Sequence, residues 1–459
     1  MRSSTSSVVS LLAALSARPA GALVPPVEVR TLPNGLEVLV VENHAAPLVT
    51  IEIGVRAGAM VEDRRWSGLS HLTEHMFFRP NRAFPSGQAL GSRKRALGIV
   101  DNGRTTSERI SYYLSTTSGH LEGALGFMRD AVLEPLYDPA EIEAERRVVL
   151  EELDGNAEDP GIQLTRQINE RVWWKYPTRK VPFDNRPSLR AATLDALRDL
   201  RSRYYLPNNS VLVIAGDVRT EDVFRQVERL FGRWKAGPDP FQSYPMIEHP
   251  PIPRTEVVVV PEPVRWVTGV LTWQGPSIRR GSDELTHAAL LLGASLRDPF
   301  SRFQRTLVDS GTCMSAELRW TPQRNVGPIA VQFEASGARV DDCLRAVLQE
   351  IPTIGSPGYL NAPDLGRATR RFEVDSALQR ERPSELAHEL TGWWAMSGLE
   401  YYRTLVPALK RTSPTDIARL LESYVLGKPY VLGVMLSPDL VKAGLDRSHF
   451  EAAVTRKGP

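Results

Sequence analysis

Five consecutive residues, His71-Leu72-Thr73-Glu74-His75, carry the strongest chemical signal in the sequence. On a helix, side chains four positions apart lie one turn apart on the same face, so the two imidazoles can grip one cation. Glu74 lies beside them, within reach of a water that such a cation would activate, and suits the part of general base. A hydrolytic metal site needs a third protein ligand and one open position. The segment Glu145-Arg146-Arg147-Val148-Val149-Leu150-Glu151-Glu152 offers that ligand. Glu145 and Glu152 fall two turns apart on one helical stripe, with Val148 and Val149 between them on the apolar side. Glu151 is rotated about 100° from that stripe and reads as solvent-facing. Two imidazoles and a carboxylate favour Zn2+, one ion per chain, although manganese or cobalt can occupy such a donor set.

Both segments must be helical, and other elements must bring them together. Residues 67–78 have helical character, with Leu69, Leu72 and His75 or Met76 recurring along one side. A second helix is predicted over 139–153: Asp138 caps it, Pro139 takes its first position, and Glu141 can complete a capping box. Residues 27–30 and 36–42 flank Pro33-Asn34-Gly35 and read as two strands joined by a tight turn. Further strands are expected over 49–57, 110–115 and 210–214, and an apolar-periodic helix over 121–133.

Composition then shifts. Residues 235–254 hold Gly237, Pro238, Pro240, Pro245, Pro250, Pro251 and Pro253, which reads as a stiff linker rather than a packed element. Beyond it the opening pattern recurs, with strands at Val257-Val258-Val259-Val260 and 267–273, then an apolar helix over 285–296. That helix carries no histidine pair, so the metal site belongs to the first half. The predicted fold is α+β: two homologous domains, each a mostly antiparallel β-sheet packed with helices, closing like a clam shell about the Pro-rich linker.

The bulk numbers agree with a globular chain. Of 459 residues, 42% are hydrophobic and 24% charged, and a formal net charge of +2 gives no nucleic-acid footprint. Arg2, the apolar run Val8-Val9-Ser10-Leu11-Leu12-Ala13-Ala14-Leu15 and then Ala20-Gly21-Ala22 fit a secretory signal cleaved after Ala22. The mature protein is thus expected in the periplasm or outside the cell, and no later stretch predicts a membrane span. The expected units are a signal peptide over 1–22, a zinc-bearing domain over 23–234, the linker, and a substrate-clamp domain over 255–459 without a metal motif. Cys313 and Cys343 are compatible with one bridge or with two buried thiols.

At this point the chain resembles a family. His-x-x-Glu-His followed downstream by Glu-Arg-x-Val-Val-x-x-Glu is similar to the pitrilysin-type inverted-zincin metallopeptidases, in the style of processing-peptidase-like subunits. Asn102-Gly103-Arg104-Thr105 with Tyr112 resembles that family's Asn-Ala-x-Thr…Tyr segment, whose edge strand pairs with substrate backbone. Tyr205-Leu206-Pro207-Asn208-Asn209 and Ala215-Gly216-Asp217 resemble its first-half ending. The resemblance implies His71, His75 and Glu152 as zinc ligands and Glu74 as base. It further implies support from Glu145, with Asn102, Thr105 and Tyr112 meeting a flexible peptide substrate.

One segment departs from the pattern. Members that work alone resemble Leu-Arg-Glu-x-Gly-Leu-Ala-Tyr in their second half, where the Arg and Tyr hold the substrate carbonyl opposite the zinc. Here the segment reads Leu307-Val308-Asp309-Ser310-Gly311-Thr312-Cys313-Met314, with Val308 and Met314 in those places. Neither can donate a hydrogen bond to a developing oxyanion. Arg302 and Arg305 are the nearby candidates to compensate. The expectation is a zinc endopeptidase or oligopeptidase acting as one half of a heterodimer, whose related subunit supplies the missing pair. The alternative is a non-catalytic structural or assembly subunit of the same family.

Overall fold

Runs of branched apolar residues build two separate sheets among the described residues, 26–180, 186–279 and 285–456 of a computed structural model. The leader expected over 1–22 lies outside them. The first sheet holds β1 (Glu28–Thr31), β2 (Glu37–Glu42), β3 (Leu48–Val55), β4 (Val100–Thr105), β5 (Ile110–Thr117) and β6 (Ser210–Gly216). The second holds β7 (Glu256–Pro261), β8 (Val267–Gln274), β9 (Ser315–Trp320), β10 (Pro328–Ala335) and β11 (Val431–Leu436). Gly35 makes the predicted turn between β1 and β2 at φ +88°, a left-handed conformation that glycine adopts without strain.

The strand orders show the duplication that the sequence pattern suggested. The first sheet runs β1-β2-β6-β3-β5-β4 and the second β7-β11-β8-β10-β9. Aligning β7 with β2 matches all five strands of the second sheet and leaves β1 without a counterpart among the described residues; each sheet has one parallel pair, β2 with β6 and β7 with β11. All other pairs are antiparallel. β4 and β9 are the equivalent edge strands.

Strand alternation sends side chains to two faces. From the first sheet, Val38, Val40, Ile51, Ile53, Leu212 and Ile214 pack under the helices Leu69–His75, Leu121–Leu133 and Pro139–Ala157. The opposite face, with Leu39, Val41, Val211 and Val213, is covered by a helix from the other half. That helix, Pro383–Met396, contributes Leu386, Leu390 and Trp394. The exchange is mutual. Helix Pro160–Val172 of the first half lays Leu164, Ile168 and Val172 on Val258, Val260, Val431 and Met435 of the second sheet.

Polar contacts follow the same seams. The buried carboxylate of Glu52 on β3 meets His388 Nδ1, and the buried Lys180 donates to the carbonyl of Val326 at 2.8 Å. The predicted linker is correspondingly not a bare spacer. Phe241 and Met246 pack on the first core, Ile252 enters the seam beside Trp173, and His249 lies 5.0 Å from the Trp173 ring. A segment crossing between exchanged helices has apolar surface to cover, which composition alone does not reveal. Closure of one half on the other is therefore built into the fold rather than hinged on the prolines. Among the described residues no helix is long and apolar enough to cross a membrane.

Candidate active site

The histidine helix is short and firmly placed. Gly68 precedes it, and the buried carboxylate of Glu62 accepts from the N–H groups of Gly68 (2.9 Å) and Ser70 (2.7 Å). Its oxygens satisfy otherwise orphaned donors at the start of the helix, while burial pushes the Glu62 pKa up to about 8. Leu69 and Leu72 fix the inner face in the core, leaving His71 and His75 half-buried on the other side. The helix ends at His75, and Met76–Phe78 continues as a 3-10 turn, so the predicted 67–78 element is two pieces.

The acidic helix runs Pro139–Ala157, longer than expected, and Asp138 accepts from Ala140 N at 2.8 Å as its cap. Glu141 does not close a capping box; it faces Arg79 at 3.4 Å instead. Val149 is buried between the two carboxylates, whereas Val148 is 37% exposed and turned away from the core. Glu145 is buried, Glu151 is exposed, and the Glu152 side chain is 47% exposed.

These two helices bring three ligand atoms to one point. The Nε2 atoms of His71 and His75 lie 3.2 Å apart, and Glu152 Oε2 is 3.6 and 3.7 Å from them. Bonds of about 2.0–2.2 Å in a tetrahedron put ligand atoms about 3.3–3.6 Å apart, so the three atoms fit a single zinc ion with one position open. Burial and the neighbouring His75 hold the His71 pKa down to about 3. Burial also lowers that of His75, against the pull of Glu152 and Glu74. Both rings are thus held neutral, the form that binds a metal.

A second layer aims the rings. His75 Nδ1 lies 2.8 Å from Glu145 Oε2, which fixes the proton on Nδ1 and turns the Nε2 lone pair to the cluster. Arg79 pairs in turn with Glu145 and Glu141, tying the turn after the histidines to the acidic helix. Sequence reasoning passed over Arg79 and Glu62. The signal for Arg79 was available, since it falls one turn beyond His75 and faces the same carboxylate stripe.

Glu74 is buried over the edge strand. Thr105 Oγ1 donates to Glu74 Oε2 at 2.5 Å, and a Cβ on Gly103 would lie 2.6 Å from Glu74 Oε1. Burial raises the Glu74 pKa, and the Thr105 hydrogen bond opposes the rise. On β4, Asn102 and Arg104 face outward while Gly103 and Thr105 face Glu74, and only one side of the strand is paired, to β5. Of the three residues expected to meet substrate, Asn102 alone is exposed on that edge. Thr105 is engaged with Glu74. Tyr112 is 1% exposed, with its hydroxyl 2.6 Å from that of Tyr205 and 3.4 Å from the Thr73 carbonyl. Strand parity explains both: positions 105 and 112 point into the core side of the sheet.

Two family comparisons cover most of the described chain. Residues 37–180 match the family described as Insulinase (Peptidase family M16), and residues 191–363 match Peptidase M16 inactive domain. The chain belongs to peptidase family M16. The His71/His75/Glu152 cluster falls inside the first match, and the second half corresponds to the M16 domain described as inactive. Among M16 relatives, the mitochondrial-processing peptidase subunit beta of Caenorhabditis elegans is 23% identical over 346 residues, 72% of this chain and 73% of that protein. A protease from Helicobacter pylori shares the fold at TM-score 0.80 and 18% identity, covering 90% of this chain and 100% of the other. The periplasmic protease PqqL from Escherichia coli aligns at TM-score 0.74 and 16% identity, over 94% of this chain but 50% of PqqL.

In this M16 second half, Val308 lies in a single π-helical turn, Arg305–Asp309, and packs on the second core. Met314 is 46% exposed at the start of the edge strand β9. Cys313 between them is bonded to Cys343 of the helix Val340–Glu350, so the bridge is the outcome for the two cysteines. Arg302 lies 3.7 Å from Glu350 and over the Tyr359 ring, and Arg305 donates to the Phe300 carbonyl at 3.0 Å. Both arginines are held within the second half, in a pocket lined by none of the cluster residues.

Proposed function

We propose that this metallopeptidase is a zinc-dependent endopeptidase or oligopeptidase for flexible peptides and is the catalytic subunit of a heterodimer. The observation that carries the catalytic part is the fit of His71, His75 and Glu152 to one tetrahedral ion, with Glu74 beside it. Zinc bound there would supply Lewis acidity toward a scissile carbonyl and toward the attacking water. Glu74 takes the proton from that water and returns it to the leaving amine. Thr105 and the backbone at Gly103 hold the Glu74 carboxylate for both transfers. Peptide substrate adds as a strand along β4 beside Asn102, held by main-chain hydrogen bonds, a mode that selects extended chains over folded ones.

The heterodimer reading rests on Val308 and Met314, which offer no donor to an oxyanion, and on Arg302 and Arg305 being engaged elsewhere. Losing one such donor typically costs ~10²–10³ in rate. A related subunit carrying the Arg and Tyr is the simplest supply. The purely structural alternative leaves the support of the histidines by Glu145, Arg79 and Glu62 without a purpose. We also place the protein in the periplasm or outside the cell, since a disulfide persists in oxidising compartments and PqqL is described as periplasmic.

The test is to express the chain alone and assay it on flexible peptides before and after adding a related M16 protein encoded nearby. Zinc-loaded chain that is slow alone and accelerated by the partner supports the reading. Full activity from the isolated chain, unchanged by the partner, contradicts the heterodimer. Activity that survives complete zinc removal contradicts the metallopeptidase.

A further inference from the structure

The first half carries a second concave surface unrelated to the metal cluster. A cleft of about 1050 Å³ opens between the turn after the histidine helix, helix Leu121–Leu133, helix Leu194–Tyr204 and the end of helix Thr220–Phe231. None of His71, Glu74, His75 and Glu152 lines it.

Each of those elements contributes cations. Arg82 and Arg129 come from the first two, Arg198 and Arg201 from the third, and Arg229, Arg233 and Lys235 from the last. Only Asp130 and Glu134 oppose them within the lining. Glu122 and Asp195 reach Arg229 and Arg198 from just outside, at 2.6 and 3.7 Å. Even with those counted, an excess of three positive charges remains in one cleft, while the whole chain carries a net charge of +2. Arg233 and Lys235 are exposed, and no carboxylate of the described residues pairs with either. The basic character is therefore local, and such a cleft attracts a ligand of opposite sign.

The lining narrows the ligand. Leu133, Leu206, Leu230 and Trp234 line the cleft together with the cationic side chains. A surface that alternates charge with apolar contact suits a polypeptide with acidic and apolar side chains. A bare anion uses none of those apolar contacts. We infer that this cleft is a docking site for an acidic, leucine-bearing segment of a peptide substrate, separate from the site of cleavage.

Binding is measured by fluorescence anisotropy with a labelled Glu/Asp-rich peptide containing leucines, on the zinc-loaded Glu74→Gln chain so that the peptide is not cut. The readout needs no catalysis, so it stands or falls apart from the peptidase reading. The expected result is binding that weakens as salt rises and falls by at least about tenfold in Arg198→Glu/Arg233→Glu/Lys235→Glu. The triple Gln variant loses less, and the equal charge reversal Arg265→Glu/Arg345→Glu/Lys442→Glu in the second half leaves binding nearly intact. Absence of binding overturns the inference. So does equal weakening by the two charge reversals, or tighter capture of phosphatidylglycerol vesicles than of the peptide through the same three residues.

Discussion

The carboxylate of Glu74 stands in the space that a side chain on residue 103 would fill, since a Cβ on Gly103 lies 2.6 Å from Glu74 Oε1 and 2.8 Å from its Cγ. The proposed base is thus seated on bare backbone of the edge strand that is expected to receive substrate. Gly103→Ala should displace the Glu74 side chain from Cγ outward and cost a few-fold in kcat. Gly103→Val fills the space, and a loss of about 10² is expected, within the range that general bases contribute. Zinc content should be unchanged in both. Steady-state kinetics with metal analysis checks the series, and equal activity for all three residues would separate Glu74 from this seat.

Thr105 acts on the same carboxylate. Its hydrogen bond to Glu74 Oε2 at 2.5 Å favours the charged form and lowers the pKa. Thr105→Val removes the donor at nearly constant shape, so the Glu74 pKa rises. Because the base works as the carboxylate, the acid limb of the kcat/KM profile should move to higher pH, with activity lost first on the acidic side. A profile unmoved, or moved to lower pH, contradicts the role.

Much of this site was legible in the sequence, and the reasons are local. His71, Glu74 and His75 sit within one helical turn, so spacing alone gives their geometry. Glu152 could be chosen over Glu151 by helical phase, because Glu145 and Val149 mark which stripe faces inward. The helix over 121–133 has the bounds that apolar period predicts, and the helix expected over 285–296 ends at Leu296 as predicted. The exchange of helices Pro160–Val172 and Pro383–Met396 was not legible. An apolar stripe says that a helix must be covered but not which sheet covers it. Resemblance points to Thr105 and Tyr112 as substrate contacts, whereas strand parity with Gly103 turns Thr105 toward Glu74.

The support beneath His75 should be measurable in metal affinity. Glu145→Gln keeps a hydrogen-bond acceptor near Nδ1 but loses the charge that raises the basicity of the ring. Zinc affinity is expected to fall by about 10–100-fold, and Arg79→Met should produce a smaller loss in the same direction. Competition with a zinc chelator gives both numbers. Affinities equal to wild type would make the Glu145–Arg79 pair a packing feature only.

The disulfide gives a stability prediction independent of the zinc site. Cys313 and Cys343 are 30 residues apart, and closing a loop of that size stabilises a folded chain by about 3–4 kcal/mol in the chain-entropy account. Cys313→Ser/Cys343→Ser should therefore lower the melting temperature, and reductant should lower that of the wild type but not of the variant. Thermal unfolding with and without reductant compares them.

Glu74→Gln separates binding from chemistry, because Glu74 supplies no ligand atom to the cluster. It should bind zinc as wild type does and lose peptidase activity by several orders of magnitude. Near wild-type turnover would remove Glu74 from the mechanism.

The claim on which the rest depends is that His71, His75 and Glu152 hold the ion, and zinc stoichiometry measured side by side tests it most directly. Wild type and Glu151→Ala should each carry one zinc per chain after gel filtration, while His71→Ala, His75→Ala and Glu152→Ala should lose most of it. Full zinc in Glu152→Ala together with loss in Glu151→Ala would contradict the ligand set and the geometry on which it rests.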